Sequence, residues 1–230
     1  LYVGCAGGLD ASVRMTYRED IVPEGYKAFW IAVGGLKGGH SGIDIHLGRG
    51  NANKLMGRIL YGLSQAVLGM GLSSVEGGSK DNAIPRECDA VCLFSTEEDR
   101  KKAVSLIREM EAEIAQELRE ADPGFAVLTE QTSAQTKMAD EDAQALIGLL
   151  MLAPNGVCDR NENAGGFIVR SLNLGVIRME DDTVTVVFAP RSSVASLQEQ
   201  TEAELRLLAK TLGFEAETHD AYPGWAYNPE

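Results

Sequence analysis

The sequence predicts an α+β fold of antiparallel strands with helices on one face. Three observations lead there. Stretches with period-2 alternation are interleaved with longer stretches whose apolar residues recur at helical spacing. The strand-like stretches stand next to each other in pairs, which favours antiparallel sheets covered by helices on one side. The order αββαβ recurs, so two related layers are expected.

The elements follow in chain order. Residues 11–18 alternate apolar and polar, and 27–35 (Lys-Ala-Phe-Trp-Ile-Ala-Val-Gly-Gly) form a second strand. A glycine-rich loop runs from Gly34 to Gly50. Residues 52–66 place Leu55, Ile59, Leu60 and Leu63 at helical spacing, with Asn51 as N-cap. Strands at 69–76 and 85–94 flank the turn at 77–81. Thr96 with Asp99 resembles a capping box and opens a helix over 97–120, with Ala103, Ile107, Met110, Ile114 and Leu118 as its apolar stripe. Glu97, Glu98 and Asp99 suit the positive end of that helix. Asp122-Pro123-Gly124 stops it, and 125–130 is a strand. The second series has a helix over 139–152, strands at 168–178 and 183–189 around Glu180-Asp181-Asp182, a helix over 194–212 and a strand at 214–219. The first series thus reads ββαββαβ and the second αββαβ, with the seam at 131–140.

Composition narrows the function. Hydrophobic residues make up 44% and charged residues 24% of the 230, which excludes a disordered or collagen-like chain. With 21 Lys and Arg against 34 Asp and Glu the net charge is −13, a field that repels phosphate backbones; no nucleic-acid partner is expected. The apolar runs are too short to span a membrane, so no membrane partner is expected either. Four cysteines without a C-x-x-C pair read as reduced thiols, mostly buried, in a cytoplasmic protein. The chain begins with Leu1 in a strand-like stretch and stops after an aromatic turn, so both ends are expected to be cuts in a longer chain.

Few side chains offer chemistry. A catalytic zinc site needs about three ligands drawn from His, Asp, Glu or Cys; His40, Asp44 and His46 match no such ligand spacing and sit in a glycine-rich loop, so no metal is expected on this chain. His40 and Ser41 are neighbours, and neighbours on an extended chain point to opposite faces, which disfavours a Ser–His pair. The loop has glycines enough to cradle an anion but lacks the G-K-[ST] ending of a phosphate loop. Five glycines around His40 shape a backbone for close approach; an exposed loop histidine is the equal alternative. Asn82-Ala-Ile-Pro-Arg86 reads as a site amide or as a turn entering a strand. Arg191, between a strand and a helix start, can fork onto a carboxylate or simply lie on the surface. Asn173 interrupts an apolar strand, so its amide must be hydrogen-bonded if buried.

Gly34-Gly-Leu-Lys-Gly-Gly-His-Ser-Gly42, followed by Gly48-Arg-Gly-Asn-Ala-Asn-Lys-Leu55, resembles the aminoacyl-histidine (Xaa-His) dipeptidases of the di-zinc peptidase family that includes carboxypeptidase G. Tyr2–Gly8, Asn82-Ala-Ile-Pro-Arg-Glu87, Pro154-Asn-Gly156, Ser171-Leu-Asn-Leu-Gly175 and Tyr222-Pro-Gly-Trp225 extend the resemblance along the chain. It implies the family's lid, or dimerisation, domain: a ferredoxin-like antiparallel sheet, here doubled, inserted into a zinc-binding catalytic domain. Residues 1–10 would be the end of a catalytic-domain strand and a hinge, 11–132 and 133–221 the two halves of the lid, and 222–230 the return to the catalytic domain. His40 would be catalytic, donating a hydrogen bond to the scissile carbonyl, with Asn82, Asn173 and Arg191 binding substrate. Arg191 departs from the family in following Pro190 rather than an aliphatic residue. Both zinc ions would lie in the catalytic domain, outside this chain. The partners implied are that domain, a dipeptide such as beta-alanyl-histidine and, left open, a second copy. The alternative is a stand-alone ferredoxin-like dimerisation or small-molecule-binding module without activity.

Overall fold

The computed structural model describes residues 5–225; the parts of the expected hinge and return at 1–4 and 226–230 lie outside the described residues. In chain order the strands and helices are β1 (Gly7–Thr16), β2 (Glu19–Ile21), β3 (Lys27–Gly34), β4 (Gly39–His40), α1 (Ala52–Ala66), β5 (Gly71–Gly77), β6 (Ala83–Ile84), β7 (Cys88–Phe94), α2 (Glu97–Glu117), β8 (Ala126–Thr132), β9 (Thr136–Met138), α3 (Asp140–Leu152), β10 (Gly156–Asn161), β11 (Phe167–Glu180), β12 (Thr183–Ser192), α4 (Ala195–Thr211) and β13 (Glu215–Tyr222). The caps are those the sequence names. Asn51 accepts from the Lys54 amide, and Thr96 accepts from the Asp99 amide while its hydroxyl donates to the Asp99 carboxylate. Strands β2, β4, β6 and β9 are too short to show a period, and β10 is half polar with two register shifts against β11. None of these had been expected.

One antiparallel sheet runs β13-β1-β12-β11-β5-β7-β3-β8, with β10 added on β11. It holds two ferredoxin-like units. The first is β3-α1-β5-β7-α2-β8, the second β1-α3-β11-β12-α4-β13. In each, the fourth strand lies beside the first, the first beside the third, and the third beside the second. The first unit is therefore inserted between the first strand and first helix of the second. The strand at 11–18 had been read with the first series; pairing with β12 and β13 puts it in the second. The units meet where Gly77 of β5 pairs with Ile177 of β11. Gly78 just beyond has φ +71, and a Cβ there would lie 1.9 Å from the Gly175 carbonyl oxygen, so this junction takes only glycine.

The four helices share one face. Ile31, Ala90, Val75, Ile177, Val186 and Val13 follow one another across the strands on the same side, each at most 2% exposed. The buried stripes of α1 (Met56, Ile59, Leu60, Leu63), α2 (Ala103, Ile107, Ile114), α3 (Leu146, Leu150) and α4 (Leu205, Ala209) join them in a single core. Cys88 and Cys92 are buried in it, whereas Cys158 is exposed, contrary to the expectation of mostly buried thiols.

Candidate functional site

The glycine loop leaves β3, crosses the junction of the two units and returns to α1. Its short strand β4 pairs with β6, setting His40 opposite Ala83, and the Ser41 amide donates to the Asn82 carbonyl at 2.9 Å. The His40 amide donates to Asp44 Oδ2 at 2.9 Å, and Arg49 donates to the Gly38 carbonyl at 2.5 Å. The histidine is exposed. Its Nδ1 accepts from the backbone amides of Gly42 (3.0 Å) and Ile43 (3.2 Å). With Nδ1 held as acceptor, the neutral ring carries its hydrogen on Nε2 and presents it as a donor.

Arg191 reaches the same place from the second unit. It sits on β12, opposite Ser171 of β11 and Gly8 of β1. The preceding Pro190 falls in the stretch between Gly8↔Arg191 and Ala11↔Phe188, where the ladder with β1 lapses, so its missing N–H costs no strand pairing on that side. Nη1 donates to the Tyr222 hydroxyl at 2.5 Å, while Nε is buried without an acceptor. A Cβ placed on Gly42 would lie 3.2 Å from His40 Cε1 and 3.4 Å from Arg191 Nε, so the two side chains flank this glycine. Together with His46, Ile43, Phe167 and Val169 they line a cleft of about 370 Å3. A larger cavity of about 510 Å3, around Lys37, Glu76, Arg86 and Asp89, lies away from this pair.

Asn82 is exposed on the turn beside His40, but does not line the cleft. Asn173 is 1% exposed and fully engaged. Its Nδ2 donates to the Asp81 and Ala83 carbonyls at 2.8 Å each, and its Oδ1 accepts from Asn51 at 3.2 Å. It fixes the turn that carries Asn82 and has no amide hydrogen left for a ligand. Behind Arg191, burial and the neighbouring Asp81 and Asp220 carboxylates hold the Asp10 carboxyl above its ordinary range, although Arg191 opposes this.

Among the described residues no group of three or more His, Cys, Asp or Glu side chains is placed to hold a metal, and His40, Asp44 and His46 form no such group. These residues do not fit a zinc site. The arrangement can donate a hydrogen bond from His40 and bind an anion at Arg191.

Two contributors escaped the sequence reading. Tyr222 appeared only as part of a matched segment; its contact with Arg191 depends on β13 lying beside β1. Asp122 read as a helix stop, yet it is 1% exposed and accepts from the amides of Lys37 (2.8 Å) and Gly50 (2.6 Å).

Residues 31–122 match the peptidase dimerisation domain family. Over 227 residues the chain is 36% identical to the cytosol non-specific dipeptidase of Escherichia coli (strain K12), a match covering 98% of the chain and 46% of that protein. The crystal structure of aminoacylhistidine dipeptidase from Vibrio alginolyticus superposes with a TM-score of 0.95 at 37% identity, over 100% of the chain and 46% of that structure. The chain thus spans about half the length of these relatives.

Proposed function

From the premise that this chain is a peptidase dimerisation domain of a dipeptidase family, we propose that it works as the lid of a cytoplasmic dipeptidase cleaving Xaa-His and related dipeptides. The convergence of His40 and Arg191, from two separate units, on one cleft carries this reading. His40 donates its Nε2 hydrogen to the scissile carbonyl as negative charge builds on the oxygen. Removing a preorganised donor of this kind costs about 2.7–4 kcal/mol of transition-state stabilisation. Arg191 receives the substrate carboxylate, and its buried, unpartnered Nε is a donor that such an anion satisfies. Asn82 contacts substrate from the rim, and Asn173 acts through it by holding the turn. The lid consists of the two units, the first over β3–β8 and the second over β1 and α3–β13, with the residues before β1 leading in from the catalytic domain and those after β13 returning to it.

Zinc belongs to the partner catalytic domain of the same polypeptide, which supplies the water nucleophile. A homodimer formed through this domain is part of the proposal. The isolated chain is accordingly expected to hydrolyse nothing and to bind no zinc tightly. Steady-state kinetics of the full-length enzyme test the roles: His40→Ala lowers kcat, whereas Arg191→Ala mainly raises KM, because a carboxylate clamp binds ground and transition states alike. An unchanged kcat in His40→Ala removes the histidine from the mechanism.

A further inference from the structure

We infer that Asp122, in the turn that follows α2 and outside the cleft, is a positioning residue for His40; the inference rests on the catalytic reading of that histidine. The loop that carries His40 has a rigid interior. Arg49 is bonded to the Gly38 carbonyl, the Asp44 carboxylate holds the His40 amide, and the Asp44 and Leu47 amides donate to the His40 and Asp44 carbonyls at 2.8 and 3.0 Å. A rigid loop still swings about its two ends. Both are tied to one carboxylate: Asp122 Oδ1 accepts from the Lys37 amide at 2.8 Å and Oδ2 from the Gly50 amide at 2.6 Å.

The anchor is itself fixed. Asp122 is 1% exposed, its amide donates to the Leu118 carbonyl at 2.8 Å, and its carbonyl accepts from Phe125 at 3.0 Å. Lys37 adds a contact from Nζ to the Ala121 carbonyl at 2.5 Å. Gly50 is packed so closely that a Cβ would come within 2.9 Å of Leu118 and Leu36. The backbone amides at the two ends of the loop thus converge on a side chain held in the turn that follows α2. Charge-assisted hydrogen bonds of this kind are short and directional, and they set where the loop stands against the sheet. Together with the pairing of β4 on β6, they place His40.

The test is a double-mutant cycle in the full-length enzyme, assayed below the unfolding temperature of every variant. Asp122→Asn keeps one acceptor oxygen and turns an NH2 toward the other amide, freeing one end of the loop. It is expected to lower kcat by about tenfold, on the scale of the ~100-fold that a misplacement of ~1 Å can cost, with KM little changed. In the His40→Ala background the same substitution should lower kcat no further, since a residue acting through His40 has nothing left to position. An equal drop in both backgrounds, or no drop in either, overturns the inference. Amide hydrogen exchange of Ser41, Asp44 and Leu47 in the present chain reads the loop directly, and Asp122→Asn should speed it while sparing α2. Unchanged exchange would also overturn the anchoring. Faster exchange with full activity in His40→Ala would instead sink the catalytic reading and leave the anchor standing. If Asp122→Asn does not fold, Asp122→Glu, which displaces the same charge by one methylene, enters the same cycle.

Discussion

Replacing Asn173 with alanine isolates the contact that ties the two units together at the site. The substitution removes two donors from the Asp81 and Ala83 carbonyls, both 2.8 Å away, and one acceptor from Asn51 at 3.2 Å. Asn51 keeps partners in Asn155 and the Leu174 carbonyl, so most of the loss falls on the turn. At about 1 kcal/mol net per hydrogen bond, the cost is about 2–3 kcal/mol. For a chain of this length 1 kcal/mol moves Tm by roughly 2–4 °C, so a fall of roughly 4–12 °C is expected in thermal unfolding followed by circular dichroism. Asn173→Asp keeps the shape but sets a carboxylate oxygen against two carbonyls, and should cost more than alanine at neutral pH. Exchange of the Ser41 amide, which donates to Asn82, should quicken in both variants. A Tm within about 2 °C of the parent for both, less than 1 kcal/mol on that scale, would show that the turn is held by other contacts and refute the reasoning.

Other perturbations probe separate parts. Asp10→Asn should stabilise the chain at neutral pH and not near pH 3. The carboxyl is held above its ordinary 3.8 in the fold, so ionising it costs folding energy that is absent below that value and complete once pH exceeds the raised one. Urea titrations at several pH values read this, and a benefit that shrinks as pH rises would contradict it. Lys54→Met removes three hydrogen bonds that the ammonium donates to the Leu150, Met151 and Ala153 carbonyls at the end of α3; a loss of about 2 kcal/mol is expected, measured by the same titration. In the full-length enzyme Tyr222→Phe frees Arg191 Nη1 and should raise KM with kcat little changed; an effect confined to kcat would mean that the tyrosine does something other than hold the clamp.

The helices and most long strands were legible because their signals are local. Asn51 and Thr96 cap where their side chains reach the third amide onward, and the stripes of α1 and α2 need only helical spacing to be seen. His40, Asn82 and Arg191 were singled out as residue types in glycine-rich, turn and strand-end settings, and the family resemblance gave each an expected role. Neither signal says how residues far apart in sequence approach one another. Periodicity marks β1 as a strand but cannot reveal that it belongs with strands more than 160 residues later, since pairing depends on which edges remain open once the first unit has closed. The same topology brings Arg191 beside His40 and Tyr222 beside Arg191. Asn173 shows the division most sharply. Its sequence setting demanded a hydrogen-bonded amide if buried, but only the packing of β11 under the 81–83 turn decided that both amide hydrogens go to backbone carbonyls, leaving none for a ligand.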